Sequence, residues 1–206
     1  MLTVEVDPVY VESRLVAGEI ECPCCVGGVL GGWGHARERV VVGVDERVRP
    51  RRGRCRGCGV TQVLLPVSLL LRRSYTAEQI WSALVARASG VGHRKIAQQV
   101  QAPVSTVRDW LRRMGGRLEQ ARAWFVRAAI GVGVDVAVPQ GSGSLWVDAL
   151  AAVWLVFEQI TGRFGVAGLF GAVTASGVAV ALSGGRLLAP GWPPVLIAGR
   201  PTPNRP

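Results

Sequence analysis

The sequence predicts an α+β protein: a small β module near the N-terminus, then a mainly α-helical region and a C-terminal helical segment. Three observations carry this expectation. Two CxxC pairs, Cys22/Cys25 and Cys55/Cys58, bracket a glycine-punctuated stretch, with 29 residues between Cys25 and Cys55. Residues 93–112 place apolar side chains where two short helices packed on one another need them. Beyond 145 the apolar period is again helical.

Residues 1–21 read as a lead-in, strand-like over Leu2–Val6 and then polar. Residues 22–66 alternate in a β-like manner, with Val29-Leu30, Val40-Val41-Val42 and Val60–Leu65 as strand material between glycine turns. Helical signals start at Ser74. Thr76 has Gln79 three residues on, a capping-box arrangement, and Ile80, Trp81, Leu84, Val85 and Ala88 recur on one face. Gly90–Gly92 closes that helix. Two shorter helices follow, about 93–100 and 104–114, and then a longer one, about 117–130, with Leu118, Ala121, Trp124, Phe125 and Ala128 inward. Residues 74–130 thus form a helical domain, and 131–144 have linker composition. In 145–185 a helix should bury Leu145, Ala149, Leu150, Val153, Trp154, Phe157 and Ile160, followed by a glycine-rich helix at 164–183. This segment is assigned to oligomerisation or partner binding. From 190 to 206 the proline-rich tail is expected to be disordered or loosely draped.

The cysteines carry the sharpest chemistry. A CxxC turn lets two thiolates grip one tetrahedral metal, and two such turns complete a closed four-cysteine site. The expected ligands are Cys22, Cys25, Cys55 and Cys58, and the expected cofactor is a structural Zn²⁺ in a zinc ribbon. A rubredoxin-type iron site uses the same ligands. Cys22-Pro23-Cys24-Cys25 offers three thiols for two places; the spacing that matches the second pair leaves Cys24 as the spare.

The charge map points to a polyanion. The chain carries a net +10, and Arg37 to Arg127 alone hold 19 basic and 6 acidic residues, a net +13. Lys95 is the one lysine, a bias typical of GC-rich genomes, so the concentration of charge matters more than the preference for arginine. Within it, Ile96, Ala97, Val100, Ala102, Val107 and Trp110 occupy the positions a helix-turn-helix keeps apolar or small. Gln101 stands at the turn position where glycine is usual. If the second helix reads DNA, Ser105 and Thr106 lie at its N-terminal end, Arg108 is the candidate for a bidentate guanine contact, and Asp109 either accepts from a cytosine amino group or orients an arginine. Arg112 shares the outward face. His93, Arg94 and Lys95 open the preceding helix as phosphate contacts, and Arg113 and Arg72-Arg73 add further backbone contacts. The expected partner is double-stranded DNA, bound by a homodimer, because paired half-sites supply the affinity that one helix-turn-helix lacks.

The run Cys22-Pro23-Cys24-Cys25, Trp33-Gly34, Arg51-Arg52-Gly53-Arg54-Cys55-Arg56-Gly57-Cys58, Thr61 and Leu64-Leu65-Pro66 resembles a family of uncharacterised bacterial proteins containing a domain of unknown function. Gly92-His93-Arg94-Lys95-Ile96-Ala97 and Thr106-Val107-Arg108-Asp109-Trp110-Leu111-Arg112-Arg113 correspond to its recurrent helix-turn-helix. These proteins are similar to the N-terminal, end-binding half of insertion-sequence transposases. The resemblance spans roughly residues 20–115 and implies sequence-specific DNA binding, as a transcription regulator or a transposase-derived factor, without supplying a reaction.

No catalytic constellation is legible. Past residue 115 the acids are Glu119, Asp135, Asp148 and Glu158, and both histidines, His35 and His93, precede it. The expectation is therefore a non-enzyme; a recombinase subunit would need carboxylates supplied by another chain. Acidic residues interrupt Met1–Glu21, which argues against a signal peptide and makes the cytoplasm the default compartment. Phe164 to Gly185 carries no charge across 22 positions, long enough for a bilayer anchor, but its Gly, Ala and Ser content favours a buried soluble helix.

Overall fold

The computed structural model describes residues 1–168 and 171–194, and within them the protein is α+β. A four-stranded mixed sheet has the order β1-β4-β3-β2, formed by β1 (Leu2–Val4), β2 (Leu30–His35), β3 (Arg51–Cys55) and β4 (Thr61–Pro66). β1 runs parallel to β4, pairing Leu2 with Leu64 and Val4 with Pro66. β3 is antiparallel to both its neighbours.

A helix crosses one face of this sheet. α1 (Pro8–Ala17) lies in the stretch the sequence reading treated as lead-in. Its signals were short but present: Asp7 caps it by accepting from the Val9 N–H, Pro8 opens it with a preset φ, and Val11 and Leu15 sit four apart on the buried side. Those two side chains pack with Val4, Ile20, Leu30 and Leu64 and with the thiol-bearing Cys22 and Cys55. Buried Glu5 is paired with Arg14 of α1, tying the end of β1 to the helix.

The valine run at 40–42 does not form a strand. Val41 is buried with Leu65 and Leu69, while isolated bridges join Arg39 to Val48 and Val42 to Tyr75. β-branched composition favours a strand here, yet Val40 and Val42 stay exposed and no neighbouring strand offers the run a ladder.

The helices follow as α2 (Ala77–Ala88), α3 (His93–Gln99), α4 (Val104–Gly115), α5 (Leu118–Val132), α6 (Leu145–Phe164) and α7 (Ala175–Ser183). The capping box at Thr76 is present: the Gln79 N–H donates to Thr76 Oγ1 and the Thr76 N–H to Gln79 Oε1, both at 3.2 Å. One apolar core runs through all six, including Ile80, Leu84, Ile96, Trp110, Phe125, Val153 and Ala179. Residues 145–183 therefore share the core of 77–129 and do not stand apart beyond a linker. Residues 133–143 are irregular, but the Arg163 guanidinium donates to Val132 O at 2.6 Å and the Ser142 N–H to Asp148 Oδ1 at 2.7 Å, holding the connection against α6.

Several expectations for the C-terminal third need correction. Residues 164–183 are not one helix. Gly165 takes φ +83° and ends α6, and a short hairpin, β5 (Ala167–Gly168) with β6 (Gly171–Ala172), precedes α7. Among the described residues the helix long and apolar enough to cross a membrane by length and composition is α6. Its buried stripe is Ala149, Leu150, Ala152, Val153, Leu155 and Val156, whereas Leu145 and Trp154, expected inside, are 51% and 44% exposed. A helix apolar on all sides leaves its inward face to be chosen by its neighbours, here α5 and α7. Nor is the start of the tail loosely draped: Trp192 is buried against Trp124 and Phe125. Residues 195–206 lie outside the described residues.

Candidate functional site

The first site is assembled by the sheet. Cys22 precedes a tight turn closed by its own N–H, which donates to Gly28 O at 2.7 Å. Cys55 ends β3, and the Gly59 N–H donates back to Cys55 O at 3.1 Å around the second turn. The two turns meet through the Arg56 N–H, which donates to Val29 O at 2.9 Å. This brings the sulfurs of Cys22, Cys25, Cys55 and Cys58 within 4.8 Å of one another. Cys22 Sγ lies 3.7 Å from Cys58 Sγ, and Cys25 Sγ lies 3.5 Å from Cys55 Sγ. Four sulfurs each about 2.3 Å from a central metal would be separated by about 3.8 Å, so the quartet can hold a metal ion with little movement.

The surroundings fit a cation. The N–H groups of Gly57 and Cys58 point at Cys55 Sγ from 3.3 and 3.4 Å, and the Cys24 N–H points at Cys22 Sγ from 3.3 Å. Donors aimed at sulfur stabilise thiolates. The Cys58 and Gly57 N–H groups draw the Cys55 thiol down to about 6 despite some burial. Cys25, hydrogen-bonded to that same sulfur and crowded by the other thiols, is pushed up to about 12. Four thiolates cannot be packed so closely without a positive charge among them, and a metal ion displaces the protons. Gly28 leaves the room: a Cβ there would stand 2.4 Å from Cys25 Sγ and 2.8 Å from Cys55 Sγ. Cys24 stands outside the quartet, its sulfur accepting from Gln62 Nε2 at 3.3 Å.

The second candidate region is α3, α4 and the turn between them. Gln101 adopts φ +51°, the left-handed conformation glycine takes without strain, and this lets the chain reverse within residues 100–103. Ile96, Ala97, Val100, Val107 and Trp110 are buried, and Trp110 meets the Tyr75 ring edge-on at 5.0 Å. α4 is sharply two-faced. Val107, Trp110, Leu111 and Met114 point into the core, while Ser105, Arg108 and Arg112 are exposed and Thr106 is half-buried. No side chain caps the N-terminus of α4, where Pro103 precedes the first turn. In the first turn of α3, Arg94 and Lys95 are exposed and His93 is half-buried.

Asp109 is already committed. Its carboxylate meets Arg112 at 2.9 Å, Arg113 at 2.7 Å and Arg73 at 3.7 Å. The Arg113 hydrogen bond holds its acid form well below the usual carboxylate range, with Arg112 adding to the effect. Of its two sequence readings, orienting arginines is the one this geometry matches. Arg73 is turned inward, donating to Leu188 O at 3.0 Å as well, so it does not join the outward face. Arg108 makes no ion pair or hydrogen bond with any described residue.

Sequence reasoning placed Arg73 among the backbone contacts and gave Arg117 no role, yet both are turned inward. Arg117 donates to Ala189 O at 2.5 Å and Trp192 O at 2.7 Å, fastening the 187–192 segment beside α4 and α5. Its only signal was an arginine immediately preceding a strongly apolar helix. A cleft of about 1270 Å³ between the sheet unit and the 160–182 region includes neither the thiol quartet nor any of the α3 and α4 candidates. No family model, curated protein or solved structure matches the chain.

Proposed function

We propose that this chain is a non-catalytic, sequence-specific DNA-binding protein, working in the cytoplasm as a dimer, in which a zinc ribbon braces a helix-turn-helix. The observation that carries this reading is the division of α4. One side is anchored in the core by Trp110 and Met114, and the other presents Ser105, Arg108 and Arg112 to solvent beside a turn of the required hand at Gln101.

In this reading α4 lies in the major groove. Arg108, unpaired among the described residues and near the N-terminal end of the helix, reaches a guanine edge. Ser105 and Thr106, with the uncapped N–H groups of the first turn, take a phosphate. Asp109 holds Arg112 and Arg113 in fixed directions toward the backbone, so less side-chain freedom is lost when they bind. His93, Arg94 and Lys95 meet the phosphates flanking the groove. Zinc is the metal that suits four thiolates in a closed site without redox chemistry. The role is that of a transcription regulator or a transposase-derived factor.

Selection of bound sequences from a random duplex library, with metal content measured on the same preparation, tests the reading. A defined consensus with one zinc per chain is expected; recovery of random sequence would sink the idea, and iron would replace zinc in it. Against the selected duplex, Arg108→Ala should cost ~1–3 kcal/mol and relax the preference at one base position. Equal loss on random DNA would assign Arg108 to phosphate alone.

A further inference from the structure

The outer face of the sheet carries a second set of arginines. Along β3, Gly53 and Cys55 face α1 and the thiol quartet, and the alternate residues Arg52 and Arg54, continued by Arg56, are exposed. Alternate residues on a strand are about 6.6 Å apart, a pitch comparable to that of successive phosphates on one nucleic-acid strand. The neighbouring strand β2 is the sheet edge and contains Gly31, Gly32 and Gly34, so the one large side chain it raises over this face is Trp33, 53% exposed. The Arg54 guanidinium lies 4.6 Å from the Trp33 ring centroid and donates to Gly59 O at 3.2 Å.

These three arginines differ from Arg14 and Arg51 of the same unit. Arg51, on the inner side of the same strand, is held by Glu12 at 2.7 Å, and Arg14 is paired with Glu5 and Glu19. Among the described residues no carboxylate lies within ion-pair distance of Arg52, Arg54 or Arg56. A row of like charges without an internal partner is complementary to a regularly spaced polyanion. Stacking on Trp33 covers the flat face of one guanidinium and leaves its N–H edge for a phosphate oxygen.

We propose that this face is a second, sequence-independent contact with duplex DNA, in which Arg52, Arg54 and Arg56 take phosphates of one strand and Trp33 positions Arg54. The proposal rests on the DNA-binding reading of α4 and extends it: α4 supplies sequence preference and the sheet supplies affinity.

The test uses the full chain in its metal-loaded form and the duplex selected for it, titrated across a salt series. Arg52→Gln, Arg54→Gln and Arg56→Gln combined should flatten the slope of log affinity against log salt by about 2–3 and weaken binding at least roughly tenfold at low salt. Metal content and preference over a scrambled duplex should stay at parental values. Trp33→Ala should give a smaller loss that Trp33→Phe largely restores. A triple variant with the parental slope and affinity overturns the proposal, as does a loss confined to single-stranded DNA or one accompanied by lost sequence preference. Arg108→Ala separates the two readings. If it relaxes specificity while the triple variant changes nothing, the sheet contact alone fails; if the parent prefers no duplex, both fail.

Discussion

In the sheet unit the buried apolar side chains fall into two small groups: Val4, Val11, Leu15, Ile20, Leu30 and Leu64, completed by Cys22 and Cys55, and separately Val41 and Leu65 with Leu69. From α2 onward a single core extends from Leu70 to Trp192, with Trp110, Phe125, Ile80, Leu84 and Met114 almost wholly enclosed. The first region has little apolar surface to set against the entropy of ordering its strands and long turns, and a metal held by the quartet would contribute folding energy there. The second can rely on burial alone. The same chain thus has a quartet able to coordinate a metal where side chains are small and glycine-rich, and packing where they are large.

Metal removal should break this symmetry most visibly. Chelation, or Cys55→Ser, is expected to abolish stoichiometric metal binding and expose β2, β3 and the two thiol turns to amide exchange while α2–α6 remain protected. Simultaneous loss of helix protection would mean that the two regions form one cooperative unit. A converse experiment probes the helical core: Trp110→Ala removes a side chain 1% exposed and should cost about 3–5 kcal/mol in denaturant unfolding, with metal content unchanged. A cost below about 1 kcal/mol would show that the core tolerates a large void there and that burial is not its main support.

The smallest effect expected is electrostatic. Asp109→Asn leaves Arg73, Arg112 and Arg113 facing one another and should destabilise the helical region by about 1–2 kcal/mol at neutral pH. Because the folded-state acid form of Asp109 is depressed, its contribution is fully present above its unfolded value near 3.9 and disappears as pH falls through the depressed value. The stability difference between parent and variant should therefore close in strong acid; a difference that stays constant there would assign the effect to packing.

Much of this arrangement was legible in the residues. The CxxC pairs named the quartet before any fold was known, because the ligand spacing is a local property of two turns. The Thr76 and Gln79 pair marked a helix start for the same reason. What escaped was set by tertiary choice. α1 is short, and only the sheet beneath it turns Val11 and Leu15 into a buried face. The inward side of α6 depended on α5 and α7. Asp109 offered two roles on paper, and its contacts with Arg112 and Arg113 on its own helix and with Arg73 from outside match the orienting of arginines.

The clasp made by Arg117 on Ala189 O and Trp192 O sets an order of events during synthesis. Leu187, Leu188 and Trp192 fill the helical core, yet they leave the ribosome long after α2–α5 have emerged. The sheet unit needs nothing beyond Pro66 to close its thiol quartet, so it can capture a metal while the helices are still incomplete. The helical core is thus completed only when residues 187–192 are available to fill it.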